Sequence, residues 1–277
     1  MANIFPIVGT FSIDKNKPEH YWTLGKSDKP VLLLIPGYSG NHVDLLTFAH
    51  LLTDKYSVLI PDLPGWNESP RFNKKLTIHN YALYLKALLD YLHISSVTIV
   101  GHCMGGTLSI EITYLFPDLV NNLFLISVPY LHGTWGEKMF LHLAGLSENS
   151  PREFRRVFFL WRTRFINILL SFVVLQFKHF RRKLKYIQVS TAGRKKEKED
   201  AVEENWVSLI HYDYQKVKSL TLPVHVIYGV KDLYVSESQS IKFFKLVPKA
   251  TLDPIEAAGH LAPLETPQTL ANIILRY

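Results

Sequence analysis

Val97-Thr98-Ile99-Val100-Gly101-His102-Cys103-Met104-Gly105-Gly106-Thr107-Leu108 is the stretch that decides the fold. Its first four residues form an apolar, β-rich run, and from Thr107 to Leu115 the pattern turns helical. Between them three glycines surround Cys103, so the chain can make a sharp strand-to-helix turn that lifts one side chain clear of the backbone. This context is that of a nucleophile elbow, which presents a reactive group at a strand end and beside a helix N-terminus. Such an elbow normally carries serine. Here it carries the only cysteine in 277 residues.

Outward from the elbow, apolar runs bounded by turn residues recur along the chain. Val31 to Ile35 ends at Pro36-Gly37, Ser57 to Ile60 at Pro61-Asp62-Leu63-Pro64-Gly65, and Leu123 to Ser127 at Pro129. Val224 to Tyr228 ends at Gly229, and a weaker run, Thr251 to Pro254, precedes Gly259-His260. Helical periodicity fills the gaps at His42 to Leu52, Ile78 to Leu92, Thr107 to Leu115, Glu237 to Leu246 and Pro267 to Tyr277. Wholly apolar strands alternating with helices predict an α/β domain with a mostly parallel sheet covered on both faces. Ligands then gather outside the carboxyl ends of the strands.

The rhythm breaks between Tyr130 and Trp206, a stretch rich in Phe, Trp, Leu and Arg. The expected organisation is a core of residues 1–129 and 208–277, with residues 130–207 as an inserted helical cap. The charge is just as uneven. Net charge is +7, yet residues 152–186 hold ten basic residues against the single acid Glu153, leaving the remainder slightly acidic. A basic segment of this kind does not imply nucleic-acid binding by the whole chain. Within it, Phe165 to Phe177 is 13 residues long, short of the ~20 needed to span a bilayer. It reads as a buried cap helix with solvated basic ends. The alternative is an interfacial helix in peripheral contact with anionic membrane. A lone cysteine excludes an intrachain disulfide, and no Cys/His cluster has zinc-ligand spacing. The N-terminus lacks the basic and apolar regions of a secretory signal, so the expected location is cytoplasmic.

Two further residues complete a relay with Cys103. Asp232 follows the strand ending at Gly229, and His260 lies in the small-residue loop Ala257-Ala258-Gly259-His260. The chain order nucleophile, acid, histidine is that of a Cys-His-Asp triad at the ends of successive strands. A thiol beside a protonated histidine and a helix N-terminus ionises more readily than a free one. The thiolate can then attack a carbonyl and form an acyl-enzyme.

Four blocks together resemble the α/β-hydrolase superfamily from about Lys29 onward. They are Ile35-Pro36-Gly37-Tyr38-Ser39-Gly40, Pro61-Asp62-Leu63-Pro64-Gly65-Trp66, the elbow, and the Asp232/His260 pair. Capped esterases, lipases and carbon–carbon-bond hydrolases are the most similar members. The resemblance implies that the backbone N–H groups of Tyr38 and Met104 are the oxyanion donors. It also implies hydrolysis of a small-molecule carboxylic ester with apolar groups, with no metal or organic cofactor. Two positions depart from the common pattern: Pro36, where many relatives carry histidine, and Cys103. Cysteine at the elbow also resembles dienelactone hydrolases and the thioester-forming polyhydroxyalkanoate synthases, so acyl transfer stands as an alternative. A non-catalytic, ligand-binding member of the fold is a third reading. Haloalkane dehalogenase and epoxide hydrolase chemistry would require Asp at position 103. His42 and Trp66, on loops near the strand ends, are candidate substrate contacts.

Overall fold

In a computed structural model, the described residues are 7–12, 19–38, 40–66, 69–71, 73–130 and 204–277. The basic segment, the Phe165–Phe177 run and all but the two ends of the expected cap lie outside them.

The sheet has eight strands in the order β1-β2-β4-β3-β5-β6-β7-β8. They are β1 (Ile7–Phe11), β2 (Glu19–Leu24), β3 (Val31–Ile35), β4 (Ser57–Pro61), β5 (Val97–His102), β6 (Val120–Ile126), β7 (Val224–Gly229) and β8 (Thr251–Ile255). From β4 to β8 every neighbouring pair is parallel, whereas β2 runs antiparallel to both β1 and β4. Helices among the described residues include α1 (His42–His50), α2 (Ile78–Tyr91), α3 (Met104–Leu115), α4 (Glu237–Phe244), α5 (Ala262–Glu265) and α6 (Pro267–Arg276). The six apolar runs read from sequence are β3 to β8, and the five helical patterns are α1, α2, α3, α4 and α6.

Alternation along the strands builds two cores. Leu33, Ile35, Leu59 and Ile99 face a cluster completed by α2, α3 and Phe243 of α4. Leu32, Leu34, Val58, Ile60 and Val100 face the other, against Leu45 and Phe48 of α1 and Leu270 and Ile274 of α6. Burial on both faces is why these strands read as unbroken apolar runs. Strands β1 and β2 escaped that pattern. They form the antiparallel margin, where Ile7 and Val8 are exposed and β2 carries Glu19, His20 and Thr23.

Residues 204–207, just after the undescribed stretch, pack on the core. Glu204 forms a bidentate ion pair with Arg71 at 2.7 Å and accepts the Leu76 N–H, and the Asn205 amide donates to the Tyr81 hydroxyl at 3.1 Å.

The centre of the fold leaves no room for side chains at the elbow. A Cβ on Gly105 would fall on the carbonyl oxygens of Ile35 and Pro36, and one on Gly101 would strike Ser109 Oγ and the Gly105 backbone. Alanine normally favours a helix over glycine by ~1 kcal/mol. Here the clash reverses the sign: Gly105→Ala should lower stability by about 1–3 kcal/mol, read as a lower urea midpoint. A midpoint equal to or above that of the parent would show that α3 does not approach β3 so closely.

Candidate active site

Cys103 follows β5 directly and occupies the N-cap position of α3, with φ 51° and ψ −118°. Positive φ at a non-glycine residue is strained by about 1–3 kcal/mol and persists only where the surroundings enforce it. The enforcement is visible: the Cys103 N–H donates to the Ile126 carbonyl at 2.9 Å, and its own carbonyl accepts from Gly106 N–H at 2.9 Å. The Cys103 side chain makes no capping hydrogen bond to α3 and is 4% exposed. The thiol therefore sits at the N-terminus of α3, the positive end of the helix dipole, without capping it.

Asp232 and His260 arrive from the neighbouring strand ends. After β7, the Val230 and Lys231 N–H groups bond to the carbonyls of Ile255 and Ala258, which ties the β7 loop to the β8 loop. One Asp232 oxygen, Oδ1, accepts the backbone N–H groups of Tyr234 and Val235, both at 2.8 Å; Oδ2 lies 2.8 Å from His260 Nδ1. A carboxylate only accepts, so Nδ1 carries the hydrogen and Nε2 is left for Cys103, with which the imidazole also hydrogen-bonds. Both residues are buried, at 3% and 6% exposure. The edge of the Tyr234 ring lies against His260, with centroids 4.9 Å apart.

Electrostatics follow from this enclosure. Burial would drive His260 toward neutrality, but the charge on Cys103, the hydrogen bonds to Asp232 and Cys103, and the Asp232 charge outweigh it. The imidazole is raised to about 10. Burial likewise opposes ionisation of Asp232, and its hydrogen bonds to His260, Val235 and Tyr234 together with the histidine's charge reverse that, holding the carboxyl below its ordinary range. The carboxylate is a charged acceptor of three donors, two amides and the imidazole.

The Pro36–Gly40 loop closes the other side. A Cβ on Gly37 would lie 3.2 Å from Cys103 Cβ and 3.0 Å from His102 Nδ1, so this loop passes directly over the elbow. Tyr38, the next residue, sets its ring edgewise against Trp66 (centroids 5.1 Å apart) and Trp206 (5.6 Å). Met104, the other expected oxyanion donor, is fully buried at the first position of α3.

Cys103, Asp232, His260, Tyr38 and Met104 therefore converge at the carboxyl end of the sheet. The two expected substrate contacts stand differently. Trp66 is 6% exposed and packs on Tyr38. The His42 ring stacks on Trp22 at 3.8 Å and its Nδ1 lies 3.1 Å from both Asp62 oxygens, while Trp22 Nε1–H donates to Asp62 at 3.3 Å. That ring is committed to holding the α1 N-terminus against the β4 loop. His102 is the site residue that sequence reasoning left as background. Its position one residue before the thiol was the available signal.

Among the described residues, no group of three or more His, Cys, Asp or Glu stands together so as to hold a metal ion. No helix among them is long and apolar enough to cross a membrane.

Comparison with known proteins agrees with the fold. The profile of the α/β hydrolase fold matches residues 30–267. A provisionally named esterase/lipase of Haemophilus influenzae is 29% identical over 257 residues, spanning 90% of this chain and 83% of that one. The poly(3-hydroxyalkanoate) polymerase subunit PhaC of Haloferax mediterranei is 25% identical over 76% of this chain and 49% of its own length. Among solved structures, a hydrolase from Pseudomonas aeruginosa PA01 superposes with a TM-score of 0.78 at 16% identity, covering 97% of each chain. With its sheet order, its strand-end loops and that profile match across most of its length, the chain belongs to the α/β-hydrolase fold family.

Proposed function

We propose that the chain is an esterase- or lipase-like hydrolase that works through a Cys103–His260–Asp232 triad and a thioester acyl-enzyme. One observation carries the reading: a single buried imidazole hydrogen-bonded on one side to Asp232 and on the other to the elbow thiol. The similarity to an esterase/lipase over most of both chains supports the ester as the substrate class.

The chemistry runs as follows. Cys103 attacks the ester carbonyl as a thiolate, with the proton resident on His260. The developing oxyanion is met by the N–H groups of Met104 and Tyr38, and each such donor is worth ~10²–10³ in rate. His260 then gives its proton to the departing alkoxide, leaving an acylated Cys103. The neutral imidazole next takes a proton from water, which attacks the thioester and regenerates the thiolate–imidazolium pair. Asp232 holds Nδ1 protonated throughout, which keeps Nε2 directed at the thiol. The aromatic wall of Tyr38, Trp66 and Trp206 beside the oxyanion loop favours an apolar substrate portion.

The same acyl-Cys103 can be discharged by an alcohol or thiol instead of water. The similarity to a poly(3-hydroxyalkanoate) polymerase subunit favours keeping this second reading. Added alcohol acceptors separate the two by product analysis.

Mass spectrometry after brief exposure to p-nitrophenyl butyrate should show one butyryl adduct, located on Cys103 and absent from Cys103→Ala. No adduct under single-turnover conditions would overturn the reading. Asp232→Asn should lower kcat by up to ~10⁴-fold, the loss that a wrong histidine tautomer causes in serine enzymes. An unchanged kcat would remove Asp232 from the relay. The raised His260 value has a checkable sign. The imidazolium persists up to about pH 10 and its proton is lost above it, so acylation should fall as pH rises through that range. In Cys103→Ala the negative partner is gone, and the NMR titration midpoint of His260 should move down from about 10. A midpoint that stays in place would show that the thiol does not bias the histidine.

A further inference from the structure

We propose that His102 is a positioning residue: wedged between the elbow, the oxyanion loop and the β8 loop, its imidazole fixes where the His260 ring stands relative to Cys103. The inference rests on the reading that Cys103 and His260 act together.

The argument is geometric. His102 Nε2 lies 2.7 Å from the backbone carbonyl oxygen of His260, 158 positions away in sequence. A carbonyl can only accept, so Nε2 carries the hydrogen and donates it. The acceptor belongs to His260 itself, not to a neighbour. The other face of the ring's nitrogen pair, Nδ1, is the atom that a Cβ on Gly37 would approach to 3.0 Å, so the ring also abuts the oxyanion loop. The His102 backbone is fixed in turn, because it is the last residue of β5 and pairs with Ile126 of β6. The side chain is therefore a rigid strut from the central strand to the loop that carries the base.

The strut works only if it is neutral. The two imidazoles stand 5.1 Å apart, and a charged His102 would repel the protonated His260 across that gap. Burial, together with the repulsion from His260, pushes His102 down to about 3, against the opposing pull of its bond to the His260 carbonyl and of Asp232. Adjacent histidines are thus split into a neutral donor and a charged partner. Elsewhere the β8 loop is held by a Gly259 N–H bond to Glu265 Oε2 at 2.6 Å, which fixes the chain before the histidine but not the carbonyl after it. A displacement of ~1 Å at a reacting group can cost about 10²-fold in rate.

The test compares His102→Leu, which fills the space without a donor, with His102→Gln, which restores a side-chain N–H near the Nε2 position. For p-nitrophenyl butyrate, the leucine variant should lose about 10- to 100-fold in kcat with KM little changed. Its His260 NMR titration midpoint should fall, and the glutamine variant should recover both readouts to within a few-fold of the parent. Parental kcat and an unmoved midpoint in His102→Leu would overturn the proposal, as would a glutamine variant as impaired as the leucine one. If the leucine variant does not fold, His102→Asn, whose amide is too short to reach, takes its place against His102→Gln under the same criteria. If the parent fails to turn over the ester, the triad reading falls, while the His260 midpoint alone still decides whether His102 positions that ring.

Discussion

The close approach of α3 to the end of β3 is the constraint on which the rest of the molecule depends. Gly105 brings the first turn of the helix against the Ile35 and Pro36 carbonyls, and this contact forces the chain through the positive φ at Cys103. The same contact brings Gly37 over the thiol. Because β5 lies between β3 and β6, the turn is also held from the other side by the bond from Cys103 N–H to the Ile126 carbonyl. The elbow thiol, the loop at Gly37 and the start of α3 are thus not three separate placements. They follow from one packing contact between backbones, for which any side chain would be too large.

The polar groups around that turn are arranged so that each ionisable group has an assigned charge. Asp232 is held negative by two amides and an imidazole, His260 positive by Asp232 and Cys103, and His102 neutral by burial. In an enclosed site, attraction between opposite charges is stronger than in water, and so is the cost of leaving one unpaired. A second histidine–carboxylate contact, His42 with Asp62, secures the start of α1, and with it the far end of the oxyanion loop.

The parts of the fold that were legible in sequence are those buried on both faces. Leu32, Leu33 and Leu34 are wholly excluded from solvent on alternate sides of the sheet, so apolar continuity alone marks β3. The marginal strands lacked that signature: β2 begins at the buried Glu19 and continues through half-buried positions. Cys103, Asp232 and His260 were legible as candidates because each lies close after the end of a readable strand, β5, β7 or β8. His42 was read as a substrate contact from its place on a loop near the strand ends, and its stacking on Trp22 was not legible because β2 was unread. The bond of His102 to the His260 carbonyl was not legible, because the partner lies 158 positions away and no local pattern encodes such a distance.

The parallel topology also dictates when this site comes into existence. Cys103 and Gly37 are brought together by β3 and β5, but His260 and Asp232 reach them only after β6, β7 and β8 have added in order at the other side of the sheet. Such long-separation pairings close late, because loop-closure entropy opposes them until the intervening strands are in place. A nascent chain ending near residue 130 would hold the thiol, its strained turn and His102, but neither His260 nor Asp232. The candidate site is therefore complete only when the last two strands, β7 and β8, are in the sheet.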